Sequence, residues 1–267
     1  MRTRRHGGGV PSGQEREAPL IFGPCVSPGQ TRAMCGRFTQ KYTWEELYRL
    51  YRLTQPARNL RPRYNICPTD PVDVVIRGDV GLLVVPMRWQ LIPPWWKKPL
   101  KELPATFNAR AETVAEKPMF RDAFRRTRCL IPASGYYEWQ TTPDGKQPYY
   151  ITSTNGPMLT IAGLWSEWRD RVNDETLTTC TMIITEANSF ISAIHDRMPV
   201  LLDRESADAW LSGDAGLDLL KPAPDDALRM WPVSRRVSKP GNGDDPTLIE
   251  PITVHASTEP ATLFRLN

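Results

Sequence analysis

Four short stretches of the sequence hold residue types at spacings that could do chemistry. The first is Met34-Cys-Gly-Arg-Phe38. Removal of Met34 before a small residue would leave Cys35 with a free α-amine and a thiol on one carbon skeleton. An α-amine titrates near ~7.7–8.0 and a thiol near ~8.5, so both nucleophiles are partly available at neutral pH. Such a 1,2-aminothiol adds its amine to an aldehyde and then closes sulfur onto the imine carbon, giving a five-membered thiazolidine. The plainer reading of Cys35 is a small buried hydrophobe, and Cys67, Cys129 and Cys180 take that reading.

The second stretch is Thr106-Phe-Asn-Ala-Arg-Ala-Glu-Thr113. Asn108 can orient a nucleophile through its amide without changing charge, and Arg110 can grip a phosphate with two donors. A helix or loop start with Glu112 in a surface ion pair competes with that reading. In Pro132-Ala-Ser-Gly-Tyr-Tyr-Glu-Trp139, Glu138 sits between two aromatics in a strand-like run. An apolar surround would raise its pKa into the range useful for proton transfer, whereas simple alternation would put it on the solvent face. In Ile194-His-Asp-Arg-Met-Pro199, His195 can serve as general acid or base and Arg197 as a phosphate contact. A lone histidine is more often structural.

The elements that must carry these residues are mostly short strands between Pro- and Gly-rich turns. A capping box, Thr43-Trp-Glu-Glu46, starts a helix over 43–52. Segments 72–77 and 80–89 flank Gly78-Asp79 as a hairpin. Strands are expected over 128–133, 135–140, 149–152, 158–165, 176–185, 199–202 and 230–237. Helices are expected over 117–126, 186–194 and 203–211. Runs of strands with few helices predict an α+β fold, a single domain with a largely antiparallel, barrel-like sheet. The division expected is an N-terminal extension over 1–33 that is disordered or removed, a domain over 34–256 and a tail over 257–267.

Composition narrows the function classes. The chain has 267 residues, 40% hydrophobic and 24% charged, as in an ordinary folded domain. No apolar run approaches the roughly 18 residues a membrane-spanning helix needs, so no membrane association is expected. The formal charge is +4, but residues 1–33 hold five Arg against two Glu, a net of +3. Affinity for a polyanion must therefore come from a few placed arginines. Five cysteines without a C-x-x-C pair and three histidines give no disulfide framework and no metal centre. A reducing, cytoplasmic setting fits. The phosphate-loop, dinucleotide, zincin and α/β-hydrolase motifs are absent from the sequence.

Taken in order, the blocks M-C-G-R-F, R-P-R-Y-N-I-C-P, M-R-W-Q-L-I-P-P-W-W, F-N-A-R-A-E-T, C-L-I-P-A-S-G-Y-Y-E-W, T-E-A-N and I-H-D-R-M-P-V-L-L closely resemble the SOS response-associated peptidase family of abasic-site processing proteins. The resemblance runs from Met34 to about Leu202. It implies crosslinking of an N-terminal cysteine to the ring-opened aldehyde of an abasic site in single-stranded DNA. By that resemblance Cys35 is the nucleophile, Asn108 positions it, Glu138 handles protons, and His195 assists sugar ring opening and Schiff-base chemistry. The family is also credited with peptidase-like removal of residues before the cysteine, and some members with lyase activity. Arg37, Arg110 and Arg197 are the expected phosphate contacts, and Trp95, Trp96 and Trp139 the expected stacking or wedging residues. No cofactor is implied. The expected partners are single-stranded DNA with abasic sites and replication-fork proteins, met by a monomer in the cytoplasm, at the nucleoid in a bacterium.

Two positions depart from the family pattern: Cys67 replaces a small Ala, and Gln90 replaces Gly. While residues remain before it, Cys35 has an amide and cannot close a thiazolidine. A start at Met34 or processing is therefore expected. Two other functions compete: a thiol peptidase that pairs Cys35 with His195 and acts on proteins or on its own extension, and a non-catalytic single-strand binder.

Overall fold

The computed structural model describes residues 35–254 except 242 and 244. Met34, the expected extension over 1–33, His255 and the expected tail over 257–267 lie outside the described residues. In chain order the elements are β1 (Phe38–Gln40), α1 (Trp44–Tyr51), β2 (Arg63–Ile66), β3 (Pro71–Gly78), β4 (Gly81–Trp89), β5 (Asn108–Arg110), α2 (Arg121–Arg126), β6 (Arg128–Ala133), β7 (Gly135–Thr142), β8 (Gly145–Ser153), β9 (Leu159–Asp170), β10 (Glu175–Glu186), α3 (Ser189–Ser192), β11 (Arg197–Pro199), α4 (Arg204–Ser212) and β12 (Leu228–Pro232). Short 3-10 turns join several of them. Among the described residues, no helix is long and apolar enough to cross a membrane.

Two sheets carry the fold. In one, β4, β3, β6, β9 and β10 pair in sequence, and β10 returns to β4 as a parallel neighbour, so the sheet closes into a barrel. The second sheet is antiparallel in the order β12, β8, β7, β1, β2. The α+β, barrel-like expectation describes this architecture, with the refinement that the strands divide between two sheets. A single residue, Ser134, separates β6 of the barrel from β7 of the second sheet. At that crossing a Cβ on Gly135 would stand 2.4 Å from Tyr150 Cζ, so only glycine lets the two backbones meet.

Between the sheets lies one apolar cluster, built on Phe38, Ile66, Met87, Trp89, Ile131, Tyr136 and Met182. A second packs α1, α2 and α4 onto the opposite face of the barrel strands, from Leu47 and Tyr51 to Trp210. Gln40 ties the sheets together. Its Nε2 donates to the carbonyls of Asp73 and Pro132 at 3.0 and 2.9 Å, and its Oε1 accepts the Asp73 N–H at 3.0 Å.

Helix α1 forms as its capping box requires. Thr43 Oγ1 accepts from the Glu46 N–H at 3.2 Å, Glu46 Oε2 accepts from the Thr43 N–H at 2.7 Å, and Leu47 and Tyr51 are buried one turn apart. Thr43→Ala should lower stability by about 1 kcal/mol. The check is a urea titration in which the midpoint falls and the slope is unchanged; an unmoved midpoint would show that tertiary packing alone sets this helix.

Several predicted boundaries shift. The helix expected over 117–126 is helical only from Arg121, and that expected over 186–194 only over Ser189–Ser192. The strand expected over 199–202 is β11, Arg197–Pro199, with an isolated bridge at Leu201, and 230–237 turns into a 3-10 helix at Arg235. Strands β1, β2 and β5 were not expected. Asn108 therefore lies on a strand, where the sequence suggested a helix or loop start.

Candidate active site

Strand β10 places two of the four candidate residues. Along one edge it pairs in parallel with β5, Met182 opposite Asn108 and Ile184 opposite Arg110. Along the other it pairs with β11, Ile184 opposite Pro199 and Glu186 opposite Arg197. Asn108 and the His195 corner thus flank the end of a single strand. The approach to Asn108 is fixed by Phe107, whose carbonyl accepts the indole N–H of buried Trp89 at 2.8 Å and the Met182 N–H at 3.1 Å. Trp89 also meets Phe107 and Phe38 edge to face, linking Asn108 to β1. Spacing alone gave no sign of this role for Trp89.

The other two residues come from the second sheet. Cys35 precedes β1, and Glu138 stands on the face of β7 shared with Tyr136, toward the core between the sheets. Of the two readings open for Glu138, burial holds: it is fully enclosed. Its Oε1 accepts the Cys35 N–H at 2.7 Å, and the Cys35 thiol and this carboxyl influence each other electrostatically. Asn108 Nδ2 donates to the Cys35 carbonyl at 3.4 Å. His195 Nε2 lies 4.0 Å from Glu138 Oε2. All four candidates therefore meet in one place, although Cys35 and Glu138 are 103 residues apart. Cys35 is itself buried, and its backbone has φ of 37°, in the left-handed region that few non-glycine residues occupy.

Burial sets the electrostatics. Desolvation pushes the Glu138 carboxyl up to about 8, against the downward pull of the neighbouring Cys35 thiol and N–H. The Cys35 thiol is driven well above its usual range, first by burial and then by the neighbouring Glu138 charge. A thiol so placed stays protonated near neutral pH. Its partner is a carboxyl, which speaks against a thiolate–imidazolium pair of the peptidase kind. His195 Nδ1 accepts the Arg197 N–H at 3.1 Å, so the neutral ring carries its proton on Nε2, facing Glu138. Asp196 Oδ1 lies 3.3 Å from Nδ1 and acts electrostatically on both Glu138 and Cys35. Asp196 was not singled out from the sequence, although it sits inside the His195 block.

The expected DNA-contact residues separate into two groups. Arg110 is exposed and Trp95 is 45% exposed. Arg197 pairs with Glu112, so the ion pair foreseen for Glu112 exists and its partner is 85 residues away. By contrast, Arg37 spends its guanidinium on Asn65 and on the carbonyls of Val237 and Ser238. Trp139 packs beside Tyr137 and donates to Ser238 Oγ, and Trp96 packs with Ile92 and Trp168. Arg37, Trp96 and Trp139 thus each have partners within the fold. Among the described residues no group of three or more His, Cys, Asp or Glu side chains is placed to hold a metal ion.

Residues 34–240 match the family model described as SOS response associated peptidase. The chain belongs to the SOS response-associated peptidase family. It is 36% identical over 225 residues to the abasic site processing protein YoqW of Bacillus subtilis, covering 81% of this chain and 99% of that protein. It is 31% identical over 232 residues to the abasic site processing protein YedK of Escherichia coli, covering 82% and 100%. A crystal structure of a Bacteroides thetaiotaomicron protein matches with a TM-score of 0.66 at 25% identity, over 83% of this chain and 99% of the other. The SOS response-associated peptidase match begins at Met34, immediately before Cys35.

Proposed function

We propose that this protein processes abasic sites in single-stranded DNA by forming a covalent crosslink through Cys35 once its α-amine is free. The observation that carries the reading is the buried Glu138 carboxyl 2.7 Å from the Cys35 nitrogen. The names of relatives over most of the chain support the substrate class.

The reaction proceeds in balanced steps. The neutral amine of Cys35 attacks C1′ of the ring-opened sugar; one amine proton passes to the ionised fraction of Glu138, and the carboxyl hands it to the C1′ oxygen to give a carbinolamine. The carbinolamine loses its hydroxyl as water when Glu138 or His195 protonates the departing oxygen and recovers the remaining amine proton from nitrogen, which leaves a neutral imine. Sulfur then adds to the imine carbon while the thiol proton moves to nitrogen, so one water is lost overall. Asn108 fixes the Cys35 backbone, and its place on β5 keeps the nucleophile still while the sugar opens. Arg110 and Arg197 take the flanking phosphates, and Trp95 offers a face for a base.

The test uses the form that begins at Cys35 and an oligonucleotide with one abasic site. The expected product survives heat and denaturant and has the mass of protein plus DNA less one water. The reading fails if no such species forms, or if a form that retains Met34 yields it equally well.

A further inference from the structure

We propose that Gln140 is a positioning residue that, through the carbonyl of Ala193, holds His195 at its distance from Glu138. The inference rests on the proton-transfer roles proposed for Glu138 and His195. Alternation along β7 puts Glu138 and Gln140 on one face, and Tyr149, directly opposite Glu138 on β8, shares that face. The Gln140 Nε2 donates to the Ala193 carbonyl at 3.1 Å. The Tyr149 hydroxyl donates to Gln140 Oε1 at 3.3 Å, which fixes the amide with its nitrogen toward Ala193.

Ala193 is the C-cap of α3, two residues before His195. Several other bonds of this corner are local or lead elsewhere. The Ile194 and His195 N–H groups share the Ile191 carbonyl, and the Ala187 N–H donates to the Asp196 carbonyl. Asn188 caps Ile191 and ties the corner to the carbonyls of Ala223 and Pro224. Among these bonds, the Gln140 bond runs from the strand that bears Glu138 to the corner that bears His195. His195 Nε2 lies 4.0 Å from Glu138 Oε2, just beyond direct hydrogen-bonding reach, so a small shift of the imidazole decides whether the two can exchange a proton.

Gln140→Met keeps the length of the side chain, adds no charge and removes both hydrogen bonds; Gln140→Lys restores a donor of similar reach. The first readout is the pair of ring ¹⁵N signals of His195 without DNA, assigned by their loss in His195→Ala among three histidines in all. Well-separated ring signals are expected for the wild type and the Lys variant, and signals drawn toward their average for the Met variant. The second readout is the rate of adduct formation on abasic-site DNA. The Met variant should be slower on the order of 10-fold, the Lys variant should recover most of the rate, and Gln140→Met should add nothing to His195→Ala. Unchanged ring signals in the Met variant overturn the inference, as does an equal slowing of the His195→Ala background. A wild type that forms no adduct overturns the proposed function instead, and the ring signals then decide the role of Gln140 alone.

Discussion

Glu138→Gln should slow adduct formation by at least about 100-fold while making the folded protein more stable at pH 8.5 by roughly 3 to 5 kcal/mol. The stability gain follows from proton linkage. The folded carboxyl titrates at about 8, against 4.5 for an unperturbed glutamate. Below pH 4.5 both the folded and unfolded chains hold the proton, so this group carries no penalty. Between 4.5 and 8 the unfolded chain ionises while the folded one does not, and stability falls by about 1.4 kcal/mol per pH unit. Above 8 the loss is complete. Glutamine mimics the neutral acid: its Oε1 still accepts the Cys35 N–H, and it has no proton to exchange. Urea titrations of both proteins at pH 5 and pH 8.5 should therefore diverge at the higher pH and nearly coincide at the lower. A gain that is the same at both values would mean that desolvation of Glu138 is not its source. The activity loss has a separate cause, because an amide can neither take the proton of the attacking amine nor return one to the departing hydroxyl. Opposite signs for stability and rate are what distinguish a group kept for chemistry from one kept for the fold.

Gln40→Met should cost roughly 3 to 5 kcal/mol of folding free energy, a large share of the ~5–15 typical of a domain. Strand β3 meets β6 at one residue pair, Val75 with Leu130. Two residues earlier, Asp73 satisfies both its N–H and its carbonyl on the Gln40 amide, which acts as a peptide group borrowed from β1. The same side chain reaches the Pro132 carbonyl. Methionine fills the space and supplies none of these bonds, leaving backbone groups dry and unpaired between the sheets. The measurement is the guanidinium midpoint, with the slope unchanged. A loss below about 1 kcal/mol would show that water or a shifted strand replaces the amide.

The features legible in the sequence were those with strong local signals. The capping box of α1, the Gly78-Asp79 hairpin and the long alternating strands β9 and β10 all lie close to where patterning put them. Short strands were missed because length and apolar content both failed. Strand β1 has three residues, two of which, Thr39 and Gln40, are polar and buried. Strand β5 exists because β10 supplies its partner, a fact of tertiary pairing that Asn108, Ala109 and Arg110 do not announce. The helix expected over 186–194 shrank because the chain needs turns on both sides of α3 to bring His195 back toward β7. At the site, residue types and resemblance named Cys35, Asn108, Glu138 and His195, which the fold brings together. What charge and aromaticity did not show is that Arg37 and Trp139 also hold the segment around Val237 and Ser238.

The long separation between Cys35 and Glu138 has a consequence for the protein as it is made. At roughly 5–20 residues per second, the ribosome delivers Glu138 some 5–20 s after Cys35, and His195 later still. Throughout that interval the cysteine has neither its carboxyl nor the barrel that carries Asn108. On the proposed function, the proton relay of Glu138 and His195 is thus withheld from the nascent chain and arrives only when β11 docks on β10, late in synthesis. Topology itself acts as a timer on that relay.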